Sequence, residues 1–240
     1  MTVLAMGTSE AVGGFQPLPN VEDELNSIVL TDRADQEGIY AGQVFLNGEF
    51  DFSTLQLNLL NSRVLHLATH GEFNPGQPED SYLLLGTGEQ LRPPDIDLLT
   101  SQLRNTHLVV LSACETGLGG RNADGIEISG VSYYFINSGA KAVVASLWQV
   151  NDNSTSLLMQ RFYQLLASGE LTKAEALRQA QLSLLYNEET ETRLSASRSG
   201  SGPKSQRGIG IATASDGEST GSSYQHPYYW APFVLIGNAL

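Results

Sequence analysis

The chain has 240 residues, of which 41% are hydrophobic and 16% are charged, a balance that supports a buried core and excludes wholesale disorder. Its 13 basic and 26 acidic residues give a formal net charge of −13, which argues against nucleic acid as the main partner because phosphate backbones would be repelled. The single cysteine, Cys114, excludes an internal disulfide and a cysteine-rich zinc or iron–sulfur site.

Targeting signals are not evident in the sequence. The first residues, MTVLAMG, lack a basic region and a signal-peptide apolar run, and no stretch of about 18 apolar residues would span a membrane. We therefore expect a cytoplasmic protein with a reduced thiol and no membrane partner.

Short apolar runs alternate with amphipathic stretches along the chain. In order, they predict a strand at 3–6, a helix at 18–30, a strand at 38–41, a helix at 52–60, a strand at 63–69, a hairpin at 82–85 and 89–91, a helix at 93–101, a strand at 107–113, a helix at 125–137, a strand at 141–147, helices at 153–167 and 172–186, and a strand at 230–236. This alternation indicates an α/β fold with a mostly parallel sheet covered by helices on both faces.

Residues 187–223 interrupt the pattern. They are dominated by Ser, Thr, Gly, Glu and Arg, and their only large aliphatic residues are Leu194, Ile209 and Ile211. Such a segment cannot bury enough apolar surface to offset its ordering entropy, so we predict a flexible insertion loop. The apolar strand beyond it makes residues 1–240 a single domain that contains this insertion.

Two predicted strands end at residues that can carry chemistry. In the segment VLHLATHG the apolar run leads to His70, and in the segment LVVLSACETG it leads to Cys114. Sites in open α/β sheets form beyond the carboxyl ends of strands, where an imidazole can take the proton of a thiol nucleophile. The alternative is that Cys114 is a buried packing residue, as free cysteines commonly are. His66 lies about 13 Å from His70 if both are on one strand, so the two histidines cannot share a metal ion and His66 is interpreted as structural or supporting.

These motifs resemble the CHAT family of caspase-like cysteine peptidases. The similar segments are collinear, at 4–7, 18–25, 66–71, 112–117, 145–152, 176–181 and 226–233, and residues 187–223 match poorly. The spacing between His70 and Cys114 is 114 − 70 = 44 residues, near the roughly 50 of the caspase signature.

The resemblance implies a caspase-like three-layer α/β/α sandwich that hydrolyses peptide bonds. By position, Cys114 is the nucleophile, His70 is the general base and acid, and the backbone amides of Gly71 and Cys114 form the oxyanion hole. No cofactor or metal is expected. Family members are often fused to helical repeats, so this chain is either one domain of a larger protein or regulated by a separate partner.

Substrate preference depends on the loop after the strand that follows the nucleophile, which helps form the S1 pocket in caspase-like enzymes. This loop ends in Asp152, which suits an Arg or Lys side chain at P1, and it contains no Arg that would select Asp. The alternative for Asp152 is a helix cap. Asp124 is a second S1 candidate, and its alternative is an ordinary Asp-Gly turn.

The basic residues of the insertion are candidate self-cleavage sites if S1 is acidic: Arg193, Arg198, Lys204 and Arg207. The alternative is a solvated linker. For the whole protein we predict a cysteine endopeptidase acting on protein or peptide substrates. The other hypotheses are a catalytically silent interaction or regulatory module, and a redox-sensing thiol.

Overall fold

The structure, a computed structural model, describes residues 1–31, 38–72, 78–115, 126–148, 151–198 and 224–240. The strands are β1 (Val3–Gly7), β2 (Val29–Leu30), β3 (Tyr40–Leu46), β4 (Val64–Glu72), β5 (Tyr82–Leu84), β6 (Gln90–Leu91), β7 (Leu108–Glu115), β8 (Ala142–Ser146) and β9 (Phe233–Gly237). The helices are α1 (Val21–Ile28), α2 (Phe52–Leu59), α3 (Pro93–Asp97), α4 (Thr100–Leu103), α5 (Ile126–Asn137), α6 (Asp152–Ala167) and α7 (Lys173–Arg198).

One sheet organises these elements, with the strand order β2-β3-β1-β4-β7-β8-β9. The pairs from β2 to β8 are parallel, whereas β9 runs antiparallel to β8 and the β5–β6 hairpin is attached antiparallel to β4. The predicted α/β fold with a mostly parallel central sheet is therefore confirmed. The central strands are buried along nearly their whole length, as parallel strands covered on both faces are.

Alternation along each central strand divides the core into two layers. Val64 and Ala68 of β4 belong to the layer formed with α1, α6 and α7. Leu65 and Leu67, on the opposite face, belong to the layer formed with α2, α3, α4 and α5. The sheet thus lies between two helical layers. Among the described residues, no helix combines the length and the apolar character that crossing a bilayer requires.

The strands that carry the two candidate catalytic residues are longer than their apolar runs. Strand β4 continues through His70 to Glu72, and β7 continues through Cys114 to Glu115. Ladder pairing explains the difference, because Gly71 is matched with Leu83 of β5 on one side and with Glu115 on the other. Both candidates consequently lie within the last three residues of paired strands.

The predicted boundaries of the insertion are wrong at its N-terminal end. Helix α7 extends to Arg198, so residues 187–198, predicted as loop, are helical. The Glu, Arg, Leu and Ala residues of this stretch favour helix, and no Gly or Pro occurs in it. The prediction failed because the stretch lacks an apolar stripe, which is the signal that periodicity detects. Residues 199–223, the rest of the predicted loop, lie outside the described residues.

Candidate active site

Strand register brings the two candidate catalytic residues together. In the parallel pairing of β4 and β7, His70 is the register partner of Cys114. Neighbouring strands lie about 4.8 Å apart, so the two backbones are adjacent at the carboxyl edge of the sheet. The side chain of Cys114 lies outside the described residues, and the pairing therefore rests on the backbone.

The imidazole of His70 has a defined hydrogen-bonding state. Its Nε2 lies 2.8 Å from the carbonyl oxygen of Gln16, and since a carbonyl only accepts, Nε2 carries the proton and donates. Its Nδ1 is buried and has no hydrogen-bond partner among the described residues. In the neutral ring Nδ1 therefore presents a lone pair, which is what a general base for a thiol requires.

Residues 8–20, which connect β1 to α1 and are called the strap below, cover this imidazole. Phe15 stacks on the ring of His70, with centroids 4.9 Å apart and an interplanar angle of 20°. A tight turn aims Phe15, because its N–H donates to the carbonyl of Val12 at 2.9 Å across Gly13 and Gly14. Both glycines have positive φ, 58° and 89°, a conformation that disfavours other residues.

Polar contacts hold the strap at both ends. At its start, the side-chain oxygen of Asn47 accepts hydrogen bonds from the backbone N–H groups of Ser9 and Glu10, at 2.8 and 3.2 Å. At its end, Asp152 Oδ2 accepts from the backbone N–H of Asn20 at 2.9 Å and from its side-chain amide at 2.7 Å. Phe15 and the Gln16 carbonyl are thereby fixed over His70.

Burial lowers the pKa of His70 below its usual value, and this effect outweighs the Gln16 carbonyl and the Asp152 charge, which raise the pKa. The side chain is only 3% exposed. His70 is consequently neutral near pH 7, the protonation state in which it accepts a proton.

Asp152 lies at the N-terminus of α6, close enough to His70 to influence its titration. The interpretation of Asp152 as the helix cap is wrong, because the cap is Asn151, whose side-chain oxygen accepts from the N–H of Ser154 at 3.1 Å. Asp152 is instead the first helical residue and joins α6 to the strap. Its role in S1 stays a prediction.

The remaining predicted site residues are placed only in part. Gly71 lies inside β4 with a strand on either side, and the oxyanion role of Gly71 and Cys114 stays a prediction. Asp124, Lys204 and Arg207 lie outside the described residues. Arg193 and Arg198 belong to α7, and their side chains lie outside the described residues.

Aromatic residues adjoin the predicted S1 loop. Trp148 donates from Nε1 to the carbonyl of Tyr228 at 3.1 Å, and Asn153 donates to the hydroxyl of Tyr224 at 2.6 Å. Trp148 and Trp230 pack against the core layer of α1, α6 and α7, whereas Tyr228 is 43% exposed. The tryptophans are therefore at least partly packing residues.

Sequence reasoning missed the strap. The Gly13-Gly14 pair signals a turn, but nothing local indicates that the turn lies over a histidine more than 50 positions away. Phe15 and Gln16 contact His70, and Asn20 contacts Asp152, only because the fold brings distant parts of the chain together.

A known protein family matches nearly the whole chain. The family model of the CHAT domain matches residues 2–238. No curated protein matches the chain.

Two solved structures are similar in part. One is the crystal structure of the Arg-specific cysteine proteinase gingipain R (RGPB), 11% identical, with 80% of this chain and 44% of that chain covered at a TM-score of 0.48. The other is the complex of Porphyromonas gingivalis RgpB pro- and mature domains, 12% identical, with the same coverage and a TM-score of 0.44. The chain thus spans less than half the length of the solved structures it matches.

Proposed function

Because this chain belongs to the CHAT domain family, we propose that it is a caspase-like cysteine endopeptidase with Cys114 as nucleophile and His70 as general base. The observation that carries the proposal is the register partnership of these residues on β4 and β7. The state of His70 supports it, since Nε2 is committed to the Gln16 carbonyl and the buried Nδ1 has no partner among the described residues.

The reaction proceeds in two stages under this proposal. His70 Nδ1 takes the thiol proton of Cys114, and the thiolate attacks the carbonyl carbon of the scissile peptide bond. The amides of Gly71 and Cys114 stabilise the oxyanion. His70 then protonates the leaving amine as the C–N bond breaks. Finally, water gives a proton to His70 and hydrolyses the thioester, which releases the acid product and restores the thiol.

Substrate preference at P1 is proposed to be Arg or Lys. The carboxylate of Asp152 lies near His70, as its influence on the imidazole indicates, and it offers a charge-assisted partner to a basic side chain. The net charge of −13 favours the approach of basic substrates. Asp124 is the second acidic candidate.

Self-processing is a further part of the proposal, with cuts after Arg193, Arg198, Lys204 or Arg207. Arg193 and Arg198 belong to α7, so cleavage there requires the end of this helix to unwind first. Mass spectrometry of purified chain tests this: the expected fragments appear in the wild type and are absent from Cys114→Ala. An intact wild-type chain, or cuts that persist in the variant, would contradict self-processing.

A second candidate function is a catalytically silent interaction module. The observation that favours it is the cover over His70, which is 3% exposed beneath Phe15. A substrate must reach this imidazole, so turnover requires the strap to yield or the substrate to approach from the β7 side.

A peptide panel with labelling separates the two functions. We expect the wild type to cleave fluorogenic Arg and Lys peptides and to react with a peptidyl electrophile, and Cys114→Ala and His70→Ala to lose both while remaining folded. The matched control is His107→Ala, since His107 is exposed at the opposite end of β7. Absence of both turnover and labelling in the wild type would support the silent module.

A further inference from the structure

A buried polar network that the proposed reaction does not use lies on the same strand as His70. His66 of β4 is 0% exposed, and its Nε2 lies 2.8 Å from Oε1 of Glu24 on α1, itself 1% exposed. The other ring nitrogen, Nδ1, lies 3.1 Å from the hydroxyl of Tyr163 on α6, which is also fully buried. The network therefore connects β4, α1 and α6 at one point in the core.

The hydrogen-bond partners of His66 constrain where the protons of the network lie. Burial and, to a lesser degree, the charge of Glu24 raise the pKa of Tyr163, so the hydroxyl keeps its proton in its hydrogen bond with His66 Nδ1. His66 in turn donates from Nε2 to the Glu24 carboxylate. The rings of Tyr40 and Phe162 pack edge-on against Tyr163, which leaves the network in apolar surroundings.

The same three elements hold the cover of His70. Glu24 is in the first turn of α1 and its N–H donates to the carbonyl of Asn20, the last strap residue, at 2.9 Å. Asn20 is in turn held by Asp152 on α6, the helix that carries Tyr163. The position of α1 along β4 thus sets where the strap meets His70, about 13 Å from His66 on the same strand.

We infer that Glu24, His66 and Tyr163 are positioning residues for His70, an inference that rests on the proposed function. They set the position of α1 against β4 so that the Gln16 carbonyl meets Nε2 of His70 and selects the tautomer with its lone pair on Nδ1. Hydrogen bonds are directional and weaken steeply with small displacements, so a slight shift of α1 removes this selection.

An apolar core would serve packing equally well. Replacing a buried ionic or polar network with apolar side chains is often neutral for stability, because the polar groups must first lose their hydration. Directional bonds instead favour one register of helix on strand, which is the property that a catalytic histidine needs.

Two variants weaken the network while nearly preserving volume: Tyr163→Phe removes the hydrogen bond to His66 Nδ1, and Glu24→Gln removes the negative charge from the acceptor of His66 Nε2. The control is Leu59→Ala, a fully buried residue of α2 in the layer on the opposite face of the sheet. The first readout is ¹⁵N NMR of the imidazoles at neutral pH, where the four histidines of the chain are few enough to assign. We expect His70 to be the Nε2–H tautomer in the wild type and the control, and a mixture in the two variants.

The second readout is peptide turnover. The variants should lose about 10- to 100-fold in kcat with little change in KM, because a misplaced base slows chemistry more than binding. Wild-type tautomer and kcat in both variants, alongside a fall in Tm like that of the control, would overturn the inference. If the wild type proves inactive, the tautomer measurement still decides it, and if Glu24→Gln does not fold, Tyr163→Phe decides alone.

Discussion

Replacing Asp152 with alanine tests both the brace on the strap and the proposed S1 role. The half-buried carboxylate accepts two hydrogen bonds from Asn20, at 2.9 and 2.7 Å, and lies in the first turn of α6. It also raises the pKa of His70, although burial has the larger and opposite effect. Asp152→Ala removes the two hydrogen bonds, the negative charge at the start of α6 and the electrostatic effect on His70.

The expected loss of stability follows from these contacts. Hydrogen bonds to charged groups contribute about 1.5–3 kcal/mol each, and partial solvent access reduces this to about 1 kcal/mol here. A carboxylate at a helix N-terminus adds about 0.3–1 kcal/mol. The free energy of unfolding should therefore fall by about 2–3 kcal/mol, which for a domain of this size lowers Tm by about 5–10 °C.

Thermal unfolding and peptide kinetics measure the two roles separately. We expect Asp152→Ala to lower Tm and to lose the preference for P1 Arg over P1 Leu. Asn20→Ala removes the side-chain hydrogen bond to Asp152 but leaves the backbone N–H bond and the charge, so it should lower Tm by about half as much and keep the preference. The control Asp95→Ala removes a carboxylate of α3 that accepts from the N–H of Arg92, the cap of that helix, and should not change substrate preference.

A Tm within 1 °C of wild type in Asp152→Ala would show that the brace contributes nothing. A P1 preference that survives Asp152→Ala in an active enzyme would remove Asp152 from S1 and leave Asp124 as the acidic candidate.

Three other substitutions have defined outcomes. Because burial lowers the pKa of His70, Phe15→Ala should admit water and raise that pKa toward its usual 6.5. The acid limb of kcat/KM then moves to higher pH, and an NMR titration with an unchanged or lower midpoint would contradict this. Gly7→Ala places a Cβ 2.6 Å from Val21 Cγ1 and 2.7 Å from the carbonyl oxygen of Ala68, and should destabilise the fold by about 1–3 kcal/mol in denaturant unfolding, whereas wild-type stability would mean that both α1 and β4 shift freely. Phe162→Ala empties a fully buried site on α6 and should cost about 3–5 kcal/mol, and a loss below 1 kcal/mol would indicate that the core collapses into the space.

The depressed pKa of His70 also makes stability depend on pH. The unfolded chain binds a proton near pH 6.5 while the folded chain resists it, so stability falls as the pH drops below about 6.5. Phe15→Ala should weaken this dependence, because the folded pKa then approaches the unfolded value. Urea unfolding of both proteins at pH 7.5 and 5.5 measures this dependence. An equal loss of unfolding free energy between the two pH values in both proteins would contradict the role of Phe15.

Local patterning accounts for most of what could be predicted about the fold. The run Leu108-Val109-Val110-Leu111 predicts a buried central strand because only a strand covered on both faces can bury every residue, and β7 has that position. The helix at 18–30 was predicted too long, because Val29 and Leu30 continue the apolar pattern yet pair with β3 as β2. Pairing with a distant strand overrides local periodicity there, as it does at the ends of β4 and β7.

The α/β class, the two strands and the two residues at their ends could be predicted, because they depend on side-chain patterns within a few positions. Three features emerge only in the folded chain: Phe15 and Gln16 cover His70, Asp152 holds the strap, and Glu24 binds His66. These contacts join residues 42 to 132 positions apart, so chain topology and strand register create them, and no local pattern encodes them. The single cysteine of the chain is the candidate nucleophile, and the register of β4 and β7 places His70 beside it.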